Sequence, residues 1–223
     1  MDDTNARVAV FLGRITSGIT LELRNALATI MENAEILEDY SQYGEDVDFP
    51  NKEKFSQAMS VIKDQVLRGA DLATRLNNFA RGPDDPASEI DLNELLEVLI
   101  YLWEPAVRTE GVTLSVIPGD HPLIVLTNPM KIQMVLFDCI EFLTKSVGIK
   151  GTLNIRARPG GEEAVMVDFS SPDREQPPDR DAIELIGSTQ WDELQDSAKS
   201  VNGWIVLRDT PSWFTVVFKR GLI

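Results

Sequence analysis

Apolar residues recur at steps of three and four from Asn5 to about Tyr40: Val8, Leu12, Ile15, Ile19, Leu23, Ala26, Ile30, Ala34 and Leu37. The spacing follows the helical period of about 3.6 residues and predicts one long amphipathic helix. A polar stretch, Ser41-Gln42-Tyr43-Gly44-Glu45-Asp46, runs through Pro50 and marks a turn. A second stripe follows, with Phe55, Met59, Ile62, Val66, Ala70, Leu72, Leu76 and Phe79 on one face. Two long helices joined by a short loop read as an antiparallel hairpin. A lone hairpin buries only part of such stripes, so a second copy is expected to complete a four-helix bundle in a homodimer.

Arg81-Gly82-Pro83-Asp84-Asp85-Pro86-Ala87-Ser88 cannot continue the helix, because it holds two prolines and a glycine. It separates a hairpin domain (1–82) from a second domain (90–223) through a linker at 83–89. Beyond it the period alternates between helix and strand. Helices are expected at Leu92–Arg108, at Pro129–Val147 and in a segment ending near Val201. Strands are expected at Val112–Ile117, Leu123–Leu126, Thr152–Arg158, Ala164–Phe169, Trp204–Arg208 and Trp213–Phe218. Pro159-Gly160-Gly161 supplies a hairpin turn, and a Pro- and Asp-rich loop runs through Arg180. Helices beside a largely hairpin-connected sheet make a two-layer sandwich, so the fold class is α+β.

Charge narrows the function. Of 223 residues, 21 are Lys or Arg and 36 are Asp or Glu, a formal net charge of −15. That field repels phosphate backbones and anionic headgroups, which argues against nucleic-acid and membrane-surface roles. No apolar run reaches the ~20 residues that cross a bilayer. The acidic start and the early Arg14 do not fit a signal peptide. Cys139 is the single cysteine, so no intramolecular disulfide and no multi-cysteine metal site can form, and a reducing cytoplasm is the expected compartment. His121 is the single histidine, and any chemistry that needs an imidazole must use it.

Gly18-Ile19-Thr20-Leu21-Glu22-Leu23-Arg24-Asn25-Ala26-Leu27-Ala28-Thr29-Ile30 resembles the phosphoacceptor box of sensor histidine kinases, G-I-x-H-E-L-R-N-P-L-x-x-I. Arg75-Leu76-Asn77-Asn78-Phe79-Ala80-Arg81 is similar to the end of that family's hairpin. Ile90-Asp91-Leu92-Asn93-Glu94-Leu95-Leu96 is similar to the lead-in of its ATP-binding domain, and 128–137 to the run into its N-box. The four strings stand in the family's order. They imply a dimerisation and phosphotransfer hairpin followed by a GHKL ATPase-like domain, a layout similar to ChpT-type histidine phosphotransferases.

The departures decide what the resemblance implies. Leu21 stands where the family has its histidine, and it has no nucleophilic nitrogen. Aligned on the N-box, Asp138 and Phe142 take the places of two asparagines, and Phe142 offers no oxygen to Mg²⁺. Asp168 matches the adenine-binding aspartate of the first glycine box, but its two glycines are Ser170 and Pro172. Between Gly161 and Gly203 the only glycine is Gly187, so a glycine-rich lid is absent too. Asp138, Phe142 and Asp168 are therefore vestigial positions, with no ATP, other cofactor or metal expected.

The resemblance then implies a cytoplasmic two-component signalling protein, a pseudokinase that binds a response-regulator receiver domain or a partner kinase without autophosphorylation. The expected docking face is Leu21, Arg24, Asn25 and Ala28, although Leu21 also reads as an ordinary exposed leucine. A second reading is receiver dephosphorylation. Glu22-Leu23-Arg24-Asn25 fits the E/D-x-x-N/T pattern of bifunctional kinases, and Glu22 and Asn25 share a helix face as the candidate catalytic pair. A third reading, phosphorelay through His121, meets a strand-to-strand turn, Pro118-Gly119-Asp120-His121-Pro122, rather than a helix face on which a receiver could dock.

Overall fold

The computed structural model describes residues 2–42, 52–81, 87–108, 110–146, 150–172, 187–207 and 214–220. Two helices, α1 (Asp2–Gln42) and α2 (Lys52–Arg81), pack along each other as the expected hairpin. Gly69 of α2 faces the Leu23 side chain and Arg68 reaches Glu22, while Phe11 near the start of α1 meets Trp103 and Arg75 near the end of α2 meets Tyr101 of the same later helix, so α1 and α2 run antiparallel. The turn expected at 41–50 lies mostly outside the described residues, as do most of the linker at 83–89 and the loop through Arg180.

After the hairpin comes β1 (Ser88–Asp91), which pairs antiparallel with β3 (Ile124–Thr127). Between them come α3 (Leu92–Arg108) and β2 (Val112–Ile117). The Asp91 carboxylate accepts from the backbone N–H of Asn93 at 3.0 Å and of Leu123 at 3.1 Å, tying the start of α3 to the start of β3. Helix α4 (Pro129–Glu141) follows. Its first turn is capped by the Asn128 side chain, which accepts from Lys131 N–H at 3.0 Å, and proline holds the first helical position. The helix was expected to continue to Val147, but from Phe142 to Ser146 it widens into one π turn.

The main sheet has the order β2-β4-β5-β7-β6, with β4 (Gly151–Pro159), β5 (Ala164–Ser170), β6 (Gly203–Leu207) and β7 (Phe214–Lys219). β2 and β4 are parallel and the other pairs antiparallel. Gly161, with φ of 103°, supplies the backbone conformation that the β4–β5 turn requires. Helix α5 (Thr189–Lys199), capped by Ser188, precedes β6. One face of the sheet carries Val165, Val167, Phe169, Phe214, Val216 and Phe218, all buried against the helical layer. This is the expected α+β sandwich, with helices layered on one sheet.

Candidate partner-docking site

Helix α1 has two buried sectors rather than one. Toward α2 it turns Leu23, Ala26 and Ile30. In its first half it also buries Gly18 and, within the core shared with the sandwich, Phe11, Ile15 and Ile19. The Phe11 ring meets Trp103 of α3 at 6.0 Å and Phe137 of α4 at 5.3 Å, and Trp103 meets Phe137 at 5.1 Å, all edge to face. Edge-to-face pairs add about 0.5–1.5 kcal/mol each beyond their area, so this triad fastens the hairpin to the sandwich. The periodic stripe omitted Phe11. The available signal was Phe11 and Gly18, seven residues apart on a second helix face with Arg14 between them.

Charges reinforce the joint. Arg14 lies over the Phe137 ring, 5.6 Å from its centroid, and pairs with Glu141 at the end of α4. Glu141 also pairs with Lys145, whose Nζ lies 3.7 Å from Glu110. Burial opposes the charged form of Glu141, but hydrogen bonds from Arg14 and Lys145 outweigh it and hold the carboxyl below its ordinary value. On the α2 side, Arg75 pairs with Asp71 at 2.8 Å and lies 4.5 Å from the ring centroid of Tyr101 on α3. Burial first, then the charge and hydrogen bond of Asp71, raise the Tyr101 phenol.

The Arg14–Glu141 pair divides an open cleft between α1 and α4. On one side a hollow of about 320 Å³ is lined by Ser17, Gly18, Leu21, Val107, Ile140 and Lys145, among others. On the other a hollow of about 260 Å³ is lined by Val10, Phe11, Met134, Phe137 and Asp138. Leu21 is 47% exposed at the rim of the first hollow. Arg24, Asn25 and Ala28 are exposed as well, but they line neither hollow. Of the expected docking face, Leu21 alone reaches the concave surface, and the cleft continues toward Arg14 rather than toward Ala28.

Glu22 is engaged in the joint. Its two oxygens take Arg68 of α2 at 2.6 Å and Arg108 of α3 at 3.2 Å. Asn25, one turn along, presents its side chain outward and accepts through its backbone carbonyl from the Thr29 hydroxyl at 3.0 Å. His121 is exposed in its turn, and its backbone carbonyl accepts from Asn93 at 2.9 Å.

Of the three positions expected to be vestigial, Asp138 and Phe142 line one hollow of about 270 Å³ between α4 and α5, and Asp168 lies apart from it. Phe142 is buried and packs near Trp191 of α5 and Phe214 of β7, at ring separations of 6.0 and 6.1 Å. Phe214 meets Phe169 at 5.5 Å, so aromatic rings occupy the space between α4, α5 and the sheet. Asp138 accepts from the Ser197 hydroxyl at 3.0 Å. Asp168 lies on the opposite side of β5. Strand alternation turns Val167 and Phe169 toward the helices and Asp168 away. There it takes the Arg158 guanidinium through both oxygens and the Thr215 hydroxyl at 2.7 Å. The glycine-box match ignored this alternation, which the strand of apolar residues from Val165 to Phe169 already contained. Cys139, buried beside these positions, has its thiol pushed well up by burial and then by Asp138. No cluster of metal-ligating side chains occurs among the described residues, and no helix there is long and apolar enough to cross a membrane.

Comparison with known proteins gives structural likeness only. No family model and no curated protein matches the sequence. Among solved structures, the chain is similar to the Acinetobacter baumannii histidine kinase AdeS at 14% identity, over 90% of this chain and 98% of that one, with a TM-score of 0.45. It is similar to the catalytic domain of histidine kinase ThkA at 19% identity, over 60% of this chain and 95% of that one, with a TM-score of 0.46. A structure of ThkA in complex with the response regulator TrrA is similar at 17% identity, over 96% of this chain and 63% of that one, with a TM-score of 0.43.

Proposed function

We propose that this chain is a histidine-kinase-like two-component protein without its phosphoacceptor, a dimer that binds a receiver domain and transfers no phosphate. The observation that carries the reading is Leu21. It occupies the phosphoacceptor position of the motif, half exposed at the rim of an open cleft, and its hydrocarbon side chain suits contact rather than chemistry. The docking face on α1 is Leu21, Arg24, Asn25 and Ala28. Dimerisation is supported by the far half of the hairpin, where Leu27 and Met31 of α1 and Met59 and Val66 of α2 are exposed.

Absence of nucleotide chemistry is part of the same proposal. The rings of Phe142, Trp191, Phe214 and Phe169 pack together on the helix side of the sheet, and Asp168 faces away from them. Titration with a fluorescent ATP analogue should give no saturable signal, and saturable micromolar binding would overturn this part.

The test of the whole is a binding titration of the chain against isolated receiver domains from the same organism, with and without aspartyl phosphate. At least one should bind saturably, and Leu21→Asp should weaken it about tenfold or more. Following the decay of a phosphorylated receiver in the same mixture addresses the phosphatase alternative through Glu22 and Asn25. The grip of Arg68 and Arg108 on Glu22 favours a joint-holding role for that carboxylate, so the decay rate should be unchanged at saturation.

A further inference from the structure

Val10, Arg14, Ser17 and Leu21 stand at steps of four, three and four on α1, and so form one face of the helix opposite Met134, Phe137 and Ile140 of α4. We propose that this α1–α4 cleft receives an amphipathic helix of a partner protein, with basic residues beside its apolar stripe. The sandwich domain then supplies one wall of a docking groove in place of nucleotide chemistry. The inference rests on the reading of this chain as a binding protein, and adds the second wall and the chemistry of what lies between.

Three observations select that occupant. The span from Val10 to Leu21 is twelve residues and eleven helical steps, about 16 Å at 1.5 Å per step, which suits a helix of three turns. Val10, at 56% exposure, and Leu21 place an unsatisfied apolar residue at each end of the span, over hollows floored by Phe11, Phe137 and Ile140. Helix-in-groove recognition uses anchors at such one-turn and two-turn intervals. The charged groups on the walls are Arg14 and Lys145 against Glu110, Asp138 and Glu141, and both cations already pair with Glu141. The excess is acidic in a chain of net charge −15, so lysines or arginines on the incoming helix are favoured and acidic ones repelled.

The test uses the full chain and two stapled synthetic helices of about sixteen residues. Both carry leucines at helical spacing, flanked in one by lysines and in the other by glutamates. The lysine helix should bind saturably and at least tenfold more tightly than the glutamate helix. Amide-exchange protection should rise at Val10–Leu21 and Met134–Lys145. Val10→Asp and Glu110→Lys should each weaken it several-fold, and Arg156→Gln, exposed on β4 outside the cleft, should not. Equal affinity for the two helices, no binding, or equal effects of Val10→Asp and Arg156→Gln would overturn the inference. Binding of the lysine helix by a chain that binds no receiver domain would instead sink the receiver reading and leave the cleft standing.

Discussion

The two halves of the hairpin have similar apolar periodicity and opposite circumstances. In the first half of α1, Phe11, Ile15 and Ile19 are buried in the core of the sandwich, and Arg14 is held by Glu141. In the second half, Leu27 and Met31 are 63% and 67% exposed, and Met59 and Val66 of α2 are exposed too. Apolar residues beside the main stripe, Phe11 in one half and Leu27 and Met31 in the other, therefore do not say what they pack against. The base has found its partner within the chain, and the far half presents the kind of surface that a second copy would cover.

The largest effect expected is at the base. Phe11→Ala removes one ring of the Phe11–Trp103–Phe137 triad and should cost about 3–5 kcal/mol of unfolding free energy, read by denaturant titration. Leu27→Ala, the matched truncation in the exposed half, should cost under about 0.5 kcal/mol in a chain held monomeric by dilution. Comparable losses would mean that the two halves do not differ. At the far half the effect should fall on association. In the proposed dimer, Leu27→Glu with Met31→Glu should weaken association about a hundredfold in sedimentation, with the unfolding of the sandwich unchanged. An unchanged dimer would place the interface elsewhere.

A smaller effect tests the buried carboxylate of the sheet. Asp168→Asn keeps the shape but removes the charge that takes Arg158, and should cost about 2 kcal/mol by thermal unfolding, without altering partner binding. The smallest is at the ion pairs of the joint. Glu141→Gln should cost about 1 kcal/mol. Because the Glu141 carboxyl sits below its ordinary value in the folded protein, its contribution is fully present above the ordinary value of 4.5 and is lost as pH falls through the lowered one. The wild type should therefore lose more stability than Glu141→Gln as the solution is acidified through that window. Parallel curves would remove Glu141 from the joint.

The long helices and most strands were legible because their periods are long or their turns are marked by glycine and proline. Val112–Ile117 and Leu92–Arg108 lie where the pattern put them. β1 was not legible, since Ser88–Asp91 is four residues with two carboxylates and its stability comes from pairing with β3 rather than from its own composition. The π turn at Phe142–Ser146 could not be separated from the end of an α-helix by spacing alone. At the candidate site, Leu21 was legible as a substituted motif position. Its neighbours Phe137, Ile140, Glu141 and Lys145 were not, because they come from a segment more than a hundred residues away that only docking brings alongside.

The joint also carries its own optical reporter. Trp103 is fully buried between Phe11 and Phe137, and its indole N–H finds no hydrogen-bond partner among the described residues, whereas Trp204 stands 39% exposed on the sheet. An indole in so dry a place emits at short wavelength. Separation of hairpin from sandwich would wet it and shift its emission to the red, so the coming apart of the two domains can be followed by intrinsic fluorescence without attaching a dye.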